Sequence, residues 1–226
     1  MNSIDKNPNY KEIYSIITKM FESTKHFFHG PFDETYFALR VYETSKEIIS
    51  KLDQNVKVQV ILVASLLHDI GKTKIDESKI FLSSGTNTSM DGEWGKHPKF
   101  GVPIVRAVLT KLRHSEDFIE QVCFLVKHHD TRGDKIKNKS IELQILQDAD
   151  LLADCGFAGF IRPFLYGSKF SRQTISSIKY LQTSINRVEE DGMLNLEVSK
   201  NIAKRKIELE KRLICEISKD IESNIV

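Results

Sequence analysis

His68 and Asp69 stand side by side in Ala64-Ser65-Leu66-Leu67-His68-Asp69-Ile70-Gly71-Lys72, after a run from Val58 in which Gln59 and Ser65 are the only polar side chains. An ionisable pair in so apolar a setting needs a partner, because a charge taken out of water unpaired is costly. Adjacent helical residues point about 100° apart, so the imidazole and the carboxylate can converge on one ion at the helix end. Gly71 is expected to stop the helix in the left-handed conformation, leaving Lys72 beside whatever the dyad holds. A core histidine hydrogen-bonded to a carboxylate would use the same two residues. The choice between these uses falls to three clusters downstream.

In Glu93-Trp94-Gly95-Lys96-His97-Pro98, His97 opens a helix that runs to about Leu112, with Pro98 suited to its first turn. In Phe118-Ile119-Glu120-Gln121-Val122-Cys123-Phe124-Leu125-Val126-Lys127-His128-His129-Asp130, the apolar stripe at 118, 122, 125 and 126 continues to 129, so His129 faces inward rather than His128. In Ile145-Leu146-Gln147-Asp148-Ala149-Asp150-Leu151-Leu152-Ala153-Asp154, three carboxylates interrupt an apolar run where surface patterning would not place them. Taken singly, each cluster has a structural use as a helix start, a solvated helix end or a cap. Together they form a nitrogen and oxygen ligand set suited to a divalent transition metal.

This order of residues resembles the HD-domain superfamily of metal-dependent phosphohydrolases, marked by a first His, an adjacent His-Asp and a distant Asp. His68, Asp69 and Asp150 match it. Within the superfamily, Leu146-Gln147-Asp148-Ala149-Asp150-Leu151-Leu152, then Gly156-Phe157-Ala158-Gly159-Phe160-Ile161-Arg162-Pro163-Phe164-Leu165-Tyr166-Gly167 and Thr183-Ser184-Ile185-Asn186, look like the small bacterial HD nucleotide pyrophosphatases. The resemblance spans about Phe32 to the C-terminal helix. It implies an all-α, single-domain helical bundle with a metal-binding core over about 32–167 and helices over 174–222.

Two departures stand out. The family's leading metal His lies three residues before an Arg-Val pair, and in Tyr36-Phe37-Ala38-Leu39-Arg40-Val41 that place is held by Phe37. Asp33, Glu34 or His29 could fill the gap, or a further water could. The pyrophosphatase-like group also has an Asp where this chain has Ala153, with Asp154 following it. His97 and the His128-His129 pair pull toward HD enzymes with two metals, in which the dyad Asp bridges both ions. One ion would then take His68, Asp69 and Asp150, and the other Asp69, His97 and one or both of His128 and His129.

The resemblance implies one or two divalent ions, drawn from manganese, cobalt, nickel, iron, magnesium and zinc. Such an ion lowers the pKa of its bound water and polarises a phosphoryl oxygen, so that metal-bound hydroxide attacks phosphorus. Asp69 and Lys72 are the expected catalytic residues. Lys72, beside the dyad, and Arg162, which matches the family's Arg, are expected to steady the substrate phosphate. Asp148 is expected to orient a ligand His or to cap a helix. The substrate would be a nucleotide or another small phosphate ester. A degenerate module that binds a nucleotide or a partner without turnover is the alternative that Phe37 raises.

Thirty-three lysines and arginines against 31 acids give a net charge of +2 over 226 residues, which provides no electrostatic case for nucleic acid. Cys123, Cys155 and Cys215 are odd in number and far apart, as expected of reduced thiols in a cytoplasmic protein. Neither a signal-peptide core nor a membrane-spanning stretch is visible. Helical periodicity predicts helices near 9–25, 34–52, 56–70, 98–113, 115–129, 140–155, 174–189 and 195–222, with strands few or absent. A polar connection from Thr73 to Gly92 links two ligand-bearing helices and could cover a substrate. The apolar side of the last helix is expected to pack on the core, and could also pair subunits in a homo-oligomer.

Overall fold

Eight of the ten residues of Val58–Leu67 are buried, and this apolar segment is the helix around which the others gather. The computed structural model describes residues 8–24, 32–75, 94–169, 171–189 and 192–223, and contains no strand among them. The α-helices of the described residues are α1 (Pro8–Glu22), α2 (Glu34–Ile49), α3 (Val58–Leu67), α4 (His97–Lys111), α5 (Glu116–His128), α6 (Ile141–Ala153), α7 (Phe157–Lys169), α8 (Thr174–Glu189) and α9 (Glu197–Ser223). The expected helices are all present, with ends shifted by at most three residues. None of the described helices is long and apolar enough to cross a membrane.

α3 touches α1, α2, α5 and α6, and α2 packs along α6. Full burial of a Leu or Ile side chain is worth about 1.5–3 kcal/mol, so a helix apolar on every face is stable only when surrounded in this way. Its one buried hydroxyl, on Ser65, donates to the Ile61 carbonyl and lies 2.8 Å from Ser45 Oγ of α2, which satisfies that hydroxyl inside the core. Side-chain caps open two helices: Ser115 accepts from Phe118 N at the start of α5, and Ser140 from Leu143 N at the start of α6.

Sequence and structure differ at three places. α3 ends at Leu67, not at 70; His68 keeps α geometry, and the chain then tightens into a 3-10 turn over Ile70–Lys74. Gly71 is not in the left-handed region, where Gly133, Gly156 and Gly192 lie. A close approach is what requires glycine at 71, because a Cβ there would overlap the His97 carbonyl and crowd Gly101 N of α4. α7 is not among the helices expected from periodicity, and Gly156, Gly159, Pro163 and Gly167 are residues that ordinarily interrupt helices. Pro163 is accommodated inside it, and its carbonyl accepts from Ser177 Oγ of α8.

Asp148 proves to be an anchor for α9 and contacts no histidine. Its carboxylate accepts from Asn195 N and Nδ2 at 2.8 Å and from Leu196 N at 2.9 Å, just before α9 begins. Cys123 and Cys155 are buried, whereas Cys215 is exposed, and all three are free. Beyond Ile75, the connection read over 73–92 lies outside the described residues.

Because Gly71 lets the dyad's turn meet the first turn of α4, Gly71→Ala is expected to cost about 1–3 kcal/mol through overpacking. At this chain length that lowers Tm by roughly 2–12 °C. A thermal melt checks it; an unchanged Tm would mean that the turn and α4 are free to separate.

Candidate metal centre

Four segments deliver their polar side chains to one buried point. His68 comes from the end of α3, Asp69 from the turn that follows, His97 from the start of α4 and His129 from the end of α5. His68, Asp69, His97 and His129 are 0 %, 5 %, 2 % and 1 % exposed, well within the range where an ionisable group must be paired. Asp130 and Asp150 form the more open rim, with side chains 27 % and 16 % exposed.

Backbone carbonyls set the orientation of two of the rings. His68 Nδ1 lies 2.8 Å from the Ser65 carbonyl and His129 Nδ1 2.7 Å from that of Val126, so in the neutral ring each carries its proton there and turns an Nε2 lone pair inward. His68 Nε2 then stands 3.2 Å from Asp69 Oδ2 and 3.5 Å from Asp150 Oδ1, without hydrogen-bond alignment to any partner. His129 Nε2 lies 3.0 Å from His97 Nε2 and 3.6 Å from Asp69 Oδ1. His97 Nε2 is 2.9 Å from Asp69 Oδ1 and 3.3 Å from Asp130 Oδ2. A buried, orphaned imidazole lone pair aimed at carboxylates is the arrangement a metal ion satisfies and a proton satisfies only in part. Among the described residues, two sets bring their donor atoms within 4.8 Å of one another: His68, Asp69 and His129, and His97, His129 and Asp130.

The electrostatics follow from this crowding. Burial alone would raise the Asp69 carboxyl, but His68, Lys72 and His97 overcome it and hold Asp69 well below the usual carboxylate range. Burial likewise disfavours charge on His68 and His97, yet Asp69 pushes both upward, His68 to about 10. Asp150, opposed by burial but close to His68 and paired with Arg132, falls to about 2. Without metal, protons take the place of the missing positive charge.

Lys72 Nζ bonds Asp69 Oδ2 at 2.6 Å, as its position in the sequence led one to expect. Arg162 is committed elsewhere: Nε pairs with Asp154 Oδ1 at 3.1 Å, Nη1 donates to the Phe32 and Asp33 carbonyls, and the guanidinium lies 4.5 Å from the Phe37 ring centre. His128 is not brought to the cluster; its ring packs on Phe124 at 4.7 Å. Of the residues proposed to fill the gap at Phe37, Asp33 is buried, uses Oδ1 to cap α2 through Thr35 N and Tyr36 N, leaves Oδ2 without a hydrogen bond, and belongs to neither set of clustered donors. His29 and the Glu34 side chain lie outside the described residues. Phe37 itself is buried, its ring 5.8 Å from that of His68.

Two members escaped the sequence reading. Asp130 directly follows the His pair, and that adjacency was the available signal. Arg132 had none: its Nη2 bonds Asp150 Oδ2 at 2.6 Å, while Nη1 holds the Gln147 carbonyl across 15 residues of chain.

The family model for the HD domain matches residues 38–154, just over half of the chain, and the chain belongs to that family. No curated protein matches it in sequence. Solved structures share its fold. An HD-superfamily hydrolase from Bacillus thuringiensis is 18 % identical, covering 95 % of this chain and 97 % of its own, with a TM-score of 0.64. Bacillus subtilis YpgQ in complex with ADP is 18 % identical, covering 93 % and 97 %, at 0.63. A predicted HD superfamily hydrolase from an uncultured Thermotogales bacterium is 20 % identical, covering 93 % and 91 %, at 0.58.

Raised histidine pKa values mean that an ion must displace protons. Binding of a divalent ion to the metal-free protein at pH 7 is expected to release about one to two protons, with apparent affinity rising as pH rises. Titration calorimetry in two buffers of different ionisation enthalpy measures this, and zero release would show that the cluster's imidazoles are already unprotonated at pH 7 in the metal-free protein. In the metal-free protein, stability contributed by protonated His68 is complete below pH about 6.5, the unfolded value, and is lost as pH rises through about 10.

Proposed function

We propose that this chain is a metal-dependent phosphohydrolase whose substrate is a small phosphorylated molecule, a nucleotide in the first instance. The observation that carries the reading is the buried Asp69 carboxylate, each of whose oxygens faces an imidazole Nε2 while Lys72 closes one side. His68, Asp69, His97, His129, Asp130 and Asp150 are the residues that would hold divalent metal. When bound, such an ion lowers the pKa of coordinated water and polarises a phosphoryl oxygen.

The remaining work falls to side chains. Asp150, ionised throughout the neutral range, sits on the open rim and can accept a hydrogen bond from an incoming water, with Arg132 fixing the carboxylate's orientation. Lys72 and Arg132 bring positive charge to two sides of the cluster, which favours the anionic oxygens of a phosphate. Support for a nucleotide comes from the shared fold of YpgQ, a protein crystallised with ADP. His128, on the Phe124 side, has no part in this scheme.

The test is release of phosphate and pyrophosphate from nucleotides and simple phosphate esters, with manganese, cobalt, nickel or magnesium added to stripped protein. Turnover that requires the ion supports the reading, and none with any ion, despite metal uptake, refutes it. Asp69→Ala is expected to abolish hydrolysis and bound metal together while far-ultraviolet circular dichroism stays helical. Lys72→Ala is expected to lower kcat by about 100- to 1000-fold, the range seen when one charge-stabilising donor is removed.

A further inference from the structure

α4 has two faces with different surroundings. Its inner face presents His97 to Asp69 and packs Gly101 against Gly71. Its outer face, together with part of α1, walls a groove of about 570 Å³ that the scheme above does not use. Ile16 and Met20, one helical turn apart, line the α1 side, while Phe100, Ile104 and Ala107 follow one another at intervals of four and three residues on the α4 side. Such a row is what one helix offers to the side chains of another.

The charges around this strip are of one sign. Among the described residues that line it, the charged side chains are Lys74 and Lys111, and no carboxylate is present. Lys74 ends the turn that packs on the start of α4, and Lys111 is the last residue of that helix, so an ammonium group stands at each end. From Phe100 to Lys111, α4 advances about 16 Å, roughly three turns. The whole of α4 carries Lys99, Arg106 and Lys111 and no acidic residue, and Arg106 is turned away to Glu116 and Glu120 of α5.

Shape and charge together select the occupant. The volume lies in the range of pre-formed binding sites, about 300–1,000 Å³. A hollow receives protruding side chains, whereas a lipid surface is met by apolar side chains that stand out from the protein. A second copy joined through the same patch would set lysines against lysines, because an isologous contact places a patch on itself. An added strand finds no sheet edge, since both walls are α-helices.

We propose that this groove is a docking site for an acidic amphipathic helix of another protein, about three turns long, with apolar residues at i, i+4 and i+7 seated between α1 and α4 and carboxylates at its two ends paired with Lys74 and Lys111. The partner lies on the outer side of the helix that supplies His97. The inference goes beyond the phosphohydrolase reading and does not depend on it.

The experiment measures binding of a fluorescein-labelled peptide to the full chain by fluorescence anisotropy. The probe is a helix of about 15 residues with leucine at i, i+4 and i+7 and glutamates at both ends, and the control carries lysine for each glutamate. The acidic probe is expected to bind at least about tenfold more tightly than the control at physiological salt, an advantage that shrinks as salt is raised. Ala107→Glu, at an exposed position in the wall, is expected to weaken the acidic probe by about tenfold or more, whereas Phe124→Ser, which removes an exposed ring from α5, leaves it unchanged. The charge-swapped peptide acts on the unaltered protein, so the test does not depend on how any variant folds. No binding, equal binding of the two peptides, or a loss with Phe124→Ser but not with Ala107→Glu would overturn the proposal. A dimer that Ala107→Glu dissociates, or capture by phosphatidylserine vesicles that Ala107→Glu abolishes, would overturn it as well, because the groove would then belong to a second copy or to a membrane. None of these results bears on metal-dependent hydrolysis.

Discussion

The buried charge of Asp69 is the constraint on which the rest depends. An isolated carboxylate in this position would cost several kcal/mol, and the protein meets that cost by bringing cationic and imidazole groups to it from separate parts of the chain. Lys72 reaches it from the same turn, His68 from the preceding helix, and His97 and His129 from α4 and α5. Each approach requires its own backbone arrangement. The apolar sheath of α3 gives the dyad a fixed base, and the glycine contact at 71 brings α4 close enough for His97 to meet Asp69. The helix-end carbonyls of Ser65 and Val126 then decide which ring nitrogen faces in.

Rigidity and chemistry are linked through the same atoms. Hydrogen bonds from Nδ1 to backbone carbonyls fix ring rotation and raise ligand basicity, as they do in metal sites generally. Arg132 performs the same service for Asp150, bonding its carboxylate and the Gln147 carbonyl of the same helix, while Gln147 Nε2 donates back to the His128 and Thr131 carbonyls. The end of α5 and the middle of α6 are thereby bound into one frame around the open rim. Asp148, one turn of thought away in sequence but pointing elsewhere, secures α9 to that frame.

Much of this could be read from sequence, and the limits have physical causes. Helical periodicity located the elements because apolar stripes survive packing, and the inward turn of His129 rather than His128 followed from its stripe. His68, Asp69 and Asp150 stood out because charged groups in apolar runs are expensive, and His97, at a polar helix start, through the resemblance to two-metal relatives. α7 was missed because glycine and proline usually break helices; here Gly159 allows close approach to the Asp154 carbonyl, and neighbouring α8 accommodates Pro163. Gly71 was identified correctly as necessary but for the wrong reason, since a close tertiary contact has no local pattern. Asp33 and Asp148 illustrate the same ambiguity: a capping carboxylate and a metal-site carboxylate look alike until their partners are known. Arg132 was invisible because its partner is distant in the chain.

Anomalous diffraction from crystals soaked in manganese tests the central claim most directly, since it locates the ion irrespective of substrate. The account requires a peak at bonding distance, about 2.0–2.3 Å, from an Asp69 carboxylate oxygen or the His129 Nε2 beside it. Crystals that take up no manganese there, with Asp69 still neutralised by Lys72 and protonated imidazoles alone, would contradict it.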